Sequence, residues 1–593
     1  MTTLSMPAAE GYFDLGAFSR SITTNSPEAQ VWFNRGLVWT YGFNHEEAVK
    51  CFERAIAADE TCAMAYWGIA YAIGPNYNKP WEMFDADELQ TVVARAHDAA
   101  LSARKHAANN SSAEEDALIN AVIFRCPTSH VQDLETRSAW NEQYADAMGK
   151  VYSQFPSDPD IAALYADALM NLTPWDLWDI STGEPNPKAR TLEAKSVLED
   201  AIQSRTDRTD HPGLLHLYIH LMEMSGRPEL ALPMAEKLRN LVPDAGHLNH
   251  MPSHIDVLCG NYTDAIAANS SAISADDKFF ARNPDTRFYT LYRAHDLHFK
   301  AYAAMFAGQK GPALSAATQL ETVIPHELLQ IRSPPMADWL EGFLSVKIHV
   351  LVRFGLWHEI LALPLPSDQN LYSTTTATLH YAQALSHANT GATAQALESS
   401  ALFAYSLARV PASRTLFNNK CRDILAVADA MLCAEYDFRT GFVPESFAGF
   451  ETAIALCDSL PYDEPWGWMQ PPRHAYGALL LERADRWLAN SGGRGEVDGE
   501  VARLVRLAAE LYETDLGLNG KLPRVQRHPN NVWALRGYVE CLDRSGELEA
   551  EIGSERSGEV REMLRRAEEV ADVEVKASCA CRVGVETVTS VIN

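Results

Sequence analysis

What this 593-residue chain lacks narrows its chemistry first. Basic residues are in deficit: 50 Lys and Arg against 78 Asp and Glu leave a net charge of −28. Such a chain repels phosphate backbones and anionic lipid surfaces, which excludes nucleic acid and membrane as partners. No run of twenty apolar residues occurs, so no membrane span is expected. The opening stretch, MTTLSMPAAEGYFDLG, has no basic start followed by an apolar core and does not read as a secretory leader. The ten cysteines form no CxxC pair; only Cys579 and Cys581 are close neighbours, and a reduced, cytoplasmic setting follows. Missing too are the Gly-rich phosphate loops of nucleotide binders and the GxSxG nucleophile elbow. Strand-period alternation persists nowhere over a useful length. What remains is a soluble, acidic chain with an ordinary 47 % apolar content, too long for one compact core unless it grows by stacking.

Stacking has a clear source in the sequence. The segment HPGLLHLYIHLMEMSGRPELALPMAEKLRNLVPD lies over GHLNHMPSHIDVLCGNYTDAIAANSSAISADD at a period of 34 residues, placing His216 on His250, His220 on His254, Gly226 on Gly260 and Ala231 on Ala265. That period, with glycine at the turn and alanine at a packing position, is the mark of a tetratricopeptide-type helix–turn–helix repeat. Residues 28–62 read as a complete repeat, with Trp32, Gly36, Ala48, Phe52 and Ala55 at its packing positions. Further units follow from Ala63, near Asp158 and around Gly308, Gly355, Gly391, Ala484 and Gly546, with an excursion at Lys278–Arg293. The unit at Asp158 is interrupted by TPWDLWDISTGEPNPKAR, and an insertion inside a regular repeat points to function. The expected fold class is all-α, a tetratricopeptide-like right-handed α/α superhelix of helix–turn–helix repeats. Its expected organisation is a lead-in (1–27), N-terminal repeats (28–155), central His-rich repeats with insertions (156–330), C-terminal repeats (331–550) and a cap with a polar tail (551–593).

Histidines ride on this repeat at one phase. Counting back from Gly226, Gly260 and Gly308, position −10 holds His216, His250 and His298, and position −6 holds His220, His254 and Tyr302. Position −13 holds Gly213, His247 and His295, and position −3 in the first of these units is Glu223. Steps of three and four residues fall on one helical face. Neighbouring helix axes lie about 8–10 Å apart, a gap that facing imidazoles bridge through one ion. Asp167 aligns with His220 in the preceding unit and adds a carboxylate.

Metal ligation is the chemistry that fits. HxxxH puts two ring nitrogens on one side of a helix, His with Asp or Glu suits a divalent transition metal (Zn, Fe, Mn or Cu), and no cysteine is near enough for a structural zinc knot. In this reading His216, His220, Glu223, His250, His254 and His298 hold metal, with Asp167 as a further ligand, while Glu223, His247 and His295 serve catalysis. Two other readings stand beside it. Buried histidines also pair between helices as plain packing, repeated by duplication. A metal-free pocket would use them as acid–base groups. His349 and His474, His45 and Glu46 at a helix start, and Asp176 and Asp179 between tryptophans read as surface, packing or capping residues.

The strings YGFNHEEA, AMAYWGIAYAIGPNYN, HPGLLHLYIHLMEMS, AGHLNHMPSHI, YRAHDLHF and HPNNVWALRGYVECL resemble the hallmarks of a microbial family of large tetratricopeptide-repeat proteins. The likeness runs through most of 28–550 and leaves out the tail from about 555. It implies the repeat fold and a groove-facing first helix in each unit, but hands over no reaction, because the family is named for its repeats. The function expected is therefore a metal-dependent enzyme acting on a small organic molecule in the groove, in a tailoring step of specialised metabolism. The alternative is a non-catalytic scaffold that binds a protein partner, although histidines in an acidic groove disfavour the usual acidic peptide tail.

Overall fold

The computed structural model describes residues 11–108, 111–204, 210–284, 286–491, 496–582 and 588–590. Residues 1–10 of the lead-in, 109–110 of the polar break, and 583–587 and 591–593 of the tail lie outside the described residues. Helices account for nearly all of the architecture, and the strands described form three short two-stranded pairs. The fold class is all-α, of tetratricopeptide-like helix–turn–helix repeats. The chain divides into two compact units, Met1–Ile255 with Ala268–Arg293, and Asp256–Ala267 with Ala294–Asn593. This division runs through the central block that the repeat pattern had marked as 156–330.

The first unit opens with α1 (Pro27–Tyr41), α2 (His45–Ala58), α3 (Ala63–Ala72), α4 (Ala86–Ala107), α5 (Ala113–Val122) and α6 (Leu134–Gln154). Ser26 and Asn44 cap α1 and α2 by accepting from Ala29 N and Glu47 N, and Pro27 fits the first helical turn, where no N–H is needed. Phe52 of α2 is the wedge that joins the first helices: a Cβ on Gly36 of α1 or on Gly68 of α3 would lie 2.6 Å from its ring. Glycine at those two positions is what lets a phenylalanine fill the space between neighbouring units.

Next come α7 (Pro159–Met170), α8 (Thr191–Gln203), α9 (Pro212–Glu223) and α10 (Leu232–Leu238). Between α7 and α8 the insertion forms a hairpin, Trp178–Asp179 against Glu184–Pro185. Its tip glycine, Gly183 (φ +73), accepts from Gly226 N, and a Cβ on Gly183 would meet Gly226 Cα at 2.6 Å. Trp178 Nε1 donates to the Leu221 carbonyl at 2.6 Å, one of the carbonyls that the end of a helix leaves open. The insertion is thus pinned over the C-terminal end of α9.

The register partner of α9 is not one helix but two, α11 (Gly246–His250) and α12 (Pro252–Cys259), because Pro252 has no N–H to continue the ladder. Then α13 (Tyr262–Arg282) runs five residues into the stretch expected to be an excursion, and the next helix starts at Thr290. The extension is held by Phe279, buried against Trp39 and Phe13.

The second unit continues as helix pairs, among them Ser373–Asn389 with Thr393–Arg409, Cys421–Thr440 with Val443–Asp458, and Pro472–Ser491 with Glu496–Asp515. The helix Ser554–Val570 closes the series, but residues 571–582 beyond it do not trail away as a loose tail. Val573, Val575, Ala577, Ser578 and Arg582 are buried, Asp572 accepts from Lys310 N and Gly311 N, and Arg582 pairs with Glu540 and Asp485. Cys579 and Cys581 lie paired with each other, and the other eight cysteines are free.

Candidate metal centre

Five imidazoles and one carboxylate meet in the interior of the first unit: His216, His220 and Glu223 from α9, His247 and His250 from α11, and His254 from α12. None is more than 2 % exposed. Helix α9 is set in place by its own N-cap, His211, whose Nδ1 accepts from Leu214 N while its Nε2 meets Asp160 at 3.1 Å. Asp160 also takes the Tyr41 hydroxyl at 2.5 Å and Arg20 at 2.9 Å, and these partners hold its carboxyl below the usual range despite burial. Gly213, where the register has His247 in the next unit, is glycine because a Cβ there would lie 2.5 Å from the Tyr41 ring.

The hydrogen bonds of the cluster fix its tautomers. Nδ1–H of His216 donates to the Tyr41 carbonyl at 2.6 Å, and Nδ1–H of His250 donates to Asn269 Oδ1 at 2.6 Å. Glu223 takes two such donors, His220 Nδ1–H on Oε1 at 2.8 Å and His254 Nδ1–H on Oε2 at 2.5 Å. A carbonyl or carboxylate oxygen only accepts, so these rings carry a proton on Nδ1, and in a neutral ring Nε2 is then the lone-pair nitrogen. The bare nitrogens converge. His250 Nε2 and His254 Nε2 are 2.6 Å apart, and His216 Nε2 is 3.1 Å from His247 Nε2. His220 Nε2 and His247 Nδ1 have no hydrogen-bond partner among the described residues. One ring nitrogen from each of His216, His220 and His247 lies within 4.8 Å of the others.

Burial makes protonation a poor way to relieve the opposed lone pairs. It lowers His216 to about 3 and holds His220, His247 and His250 well below 6.5, with neighbouring imidazoles adding to the effect. A transition metal binds neutral imidazole, and at about 2.1 Å per bond two tetrahedral ligands stand about 3.4 Å apart, close to the His216–His247 spacing. Aromatic rings enclose the group. Phe43 lies 4.5 Å from His216 and stacks on His220 and His247, Tyr77 and Trp175 flank His220, and Tyr292 meets His247 edge-on at 4.8 Å.

Six of the residues singled out by repeat register therefore come together. Glu223 stands in the group by orienting two imidazoles through their Nδ1–H. Asp167 belongs to the first unit but is taken up elsewhere: its Oδ2 accepts from the Tyr71 hydroxyl at 2.6 Å and from Asn171 at 3.0 Å, and burial raises its carboxyl. His295 and His298 belong to the second unit. There His295 packs edge-on to Phe299 and Phe417, with Nε2 4.0 Å from Glu464. His298 is buried beside Phe343, lowered to about 3 by burial, with neither ring nitrogen hydrogen-bonded among the described residues. His349 packs edge-on to Trp468, and His474 is fixed between Arg353 and Asp515. Asn44 caps α2, while His45 is half-buried, with Nδ1 2.7 Å from the Ala72 carbonyl. Asp176 and Asp179 face solvent.

Sequence reasoning missed Phe43, Tyr41 and Asn269. Phe43 sits inside YGFNHEEA, where the adjacent cap drew attention instead; the Tyr41 contribution is a backbone carbonyl, and Asn269 lies in the polar run ANSSAIS with nothing to distinguish it.

No family model and no curated protein sequence matches the chain. Solved structures do. The chain is similar to the APC/C hetero-tetramer Cut9–Hcn1 (14 % identity over 84 % of this chain and 76 % of that one, TM-score 0.30). It is also similar to the human IFIT1 dimer with PPP-AAAA (12 %, 88 % and 91 %, TM-score 0.28) and to yeast Tom70 (11 %, 91 % and 96 %, TM-score 0.24). The repeats are tetratricopeptide-like. At these identities and scores the likeness concerns helical-repeat architecture and carries nothing about the imidazoles of α9, α11 and α12. No helix among the described residues is long and apolar enough to cross a membrane.

Proposed function

We propose that the first unit holds a transition-metal ion on the imidazoles of His216, His220, His247, His250 and His254, and that the protein is a metal-dependent enzyme acting on a small organic molecule. One observation carries this reading: four rings give Nδ1–H to oxygen acceptors and turn Nε2 inward, where His250 and His254 Nε2 lie 2.6 Å apart and His216 Nε2 lies 3.1 Å from His247 Nε2. Metal-ligating histidines give the outer N–H to a carbonyl or carboxylate and keep the inner nitrogen bare. An all-imidazole set favours Zn, Cu or Fe over Mn, which prefers oxygen ligands.

The roles of the chain's own groups follow from the same bonds. Tyr41, Asn269 and Glu223 keep the tautomers and ring orientations. Glu223 is a positioning residue, since its two oxygens serve His220 and His254. The aromatic wall of Phe43, Tyr77, Trp175 and Tyr292 keeps the surroundings dry and His216, His220 and His247 neutral. Bound there, a metal supplies Lewis-acid or redox chemistry according to its identity.

Metal content, measured by plasma mass spectrometry on protein purified without a metal-affinity column, tests the reading beside a His216→Ala/His250→Ala variant. Near-stoichiometric metal in the native protein, lost in the folded variant, is the expected result. Absence of metal after reconstitution with Zn, Fe and Cu would overturn it, leaving the histidines as packing and the chain as a repeat scaffold for a protein partner.

A further inference from the structure

A cavity of about 660 Å³ opens in the first unit between α2, α3, α4 and the connection 283–289. Its size suits a small organic ligand. Phe43, which stacks on the imidazoles, is also part of its wall. This residue occupies the α1–α2 turn at φ +54, a left-handed conformation that a bulky side chain rarely adopts, and the turn holds it there through Phe43 N to Thr40 O and Asn44 N to Trp39 O. One aromatic ring is thus shared by the cavity and the histidine cluster.

The lining has an aromatic part and a cationic part. Phe84, Phe288 and Tyr289 supply flat apolar surface. Four cations, Lys50, Lys79, Arg95 and Arg282, stand against three carboxylates, Glu46, Glu53 and Glu88, in a chain whose net charge is −28. Three of the cations are engaged: Lys79 with Glu88 and between two phenyl rings, Arg95 with Glu53, Lys50 with Glu47 and Asn283. Arg282 has no carboxylate partner among the described residues and packs over the Phe13 ring at 4.7 Å. A stacked guanidinium keeps its fork of N–H donors for a carboxylate.

We propose that this cavity binds a small aromatic carboxylic acid, with its ring among Phe84, Phe288 and Tyr289 and its carboxylate on Arg282, and that Phe43 is the gate between the bound molecule and the imidazoles. The gate rests on the metal-site reading for what lies behind it; the binding does not.

The test uses the full-length metal-free protein and two probe pairs, benzoate with benzamide and 2-naphthoate with 2-naphthamide, followed by ligand-observed NMR and calorimetry. At least one acid binds about tenfold tighter than its amide, and Arg282→Gln removes that preference while leaving the amide's affinity unchanged. Phe43→Ala, or Phe43→Leu if the alanine variant does not fold, speeds carbethoxylation of His216, His220 and His247, read by peptide mass spectrometry. Equal binding of acid and amide, or binding of neither acid, overturns the pocket. Unchanged modification rates in both Phe43 variants overturn the gate. Because no metal is present in these measurements, their failure is independent of the metal-content result, and the converse holds.

Discussion

At His474 in the second unit, Nδ1 accepts from Arg353 at 2.8 Å and Nε2–H donates to Asp515 at 2.7 Å; at His250 in the first, Nδ1–H is fixed on Asn269 and Nε2 faces His254 Nε2 at 2.6 Å. Both rings are buried, and burial lowers both, His474 to about 4. What separates them is the neighbourhood of the second nitrogen. Asp515 gathers His474, His528 and Asn531 on its two oxygens, a closed network in which each proton has an acceptor. The α9–α11–α12 group has its acceptors on the outside and its lone pairs on the inside. Depth of burial does not tell a structural histidine from a ligand; the direction in which the remaining lone pair points does.

If this contrast is sound, breaking each network has a different consequence. The largest effect is expected for His250→Ala/His254→Ala, which should lower metal affinity by more than the about 10–100-fold that loss of an outer-shell partner costs; chelator competition measures it. Glu223→Gln should fall within that about 10–100-fold range with every imidazole still present, because one amide nitrogen then faces an Nδ1–H that it cannot accept. An unchanged affinity would return Glu223 to plain packing. In the second unit, Asp515→Ala should cost about 3–5 kcal/mol in urea unfolding, since it strands buried donors, and should leave metal content untouched. A loss of metal in that variant would erase the distinction between the two networks.

The smallest and most graded effect is that of pH on the metal-free protein. Burial keeps His216 near 3 and His220, His247 and His250 far below 6.5, so the folded chain leaves them neutral while an unfolded chain takes up protons. Their stabilising contribution is complete above about pH 6.5 and is lost as pH falls from there toward 3. Urea midpoints at pH 7.5, 6 and 5 should therefore decline without metal, and bound metal should raise the values at pH 7.5 and 6.

Much of this was legible from one period. The 34-residue register that matches His216 to His250 and His220 to His254 also placed the turn glycines, and the helix pairs follow it. The register reports which face a residue occupies, not what its side chain meets, and there it ran out. Nothing in HxxxH says that Glu223 will hold two Nδ1–H groups from different helices, or that a backbone carbonyl at Tyr41 will hold a third. Pro252 was visible in HMPSH, yet its effect, splitting the helix between the two histidines that it separates, depends on Met251 and His254 re-forming a turn around it. Asp167 shared the register of His220 but found Tyr71 and Asn171 first. His295 and His298 shared the phase as well and fall in the second unit, which resumes at Ala294. The tail was misjudged for its polarity: Asp572 and the buried Arg582 find their partners hundreds and tens of residues upstream.

That strap also sets an order of events during synthesis. Residues 571–582 touch the turn at Gly308–Gly311, the His474 carbonyl through Ser578, and Glu540 and Asp485 through Arg582. Repeat arrays ordinarily mature from the front as each pair leaves the ribosome, because every contact is with a neighbour. Here the bonds at Lys310 and Gly311 wait for a segment translated some 260 residues later. The turn at Gly308–Gly311 therefore lacks these bonds until the last segment emerges, and a nascent chain halted before Asp572 should be more sensitive to protease around Gly308 than a released one.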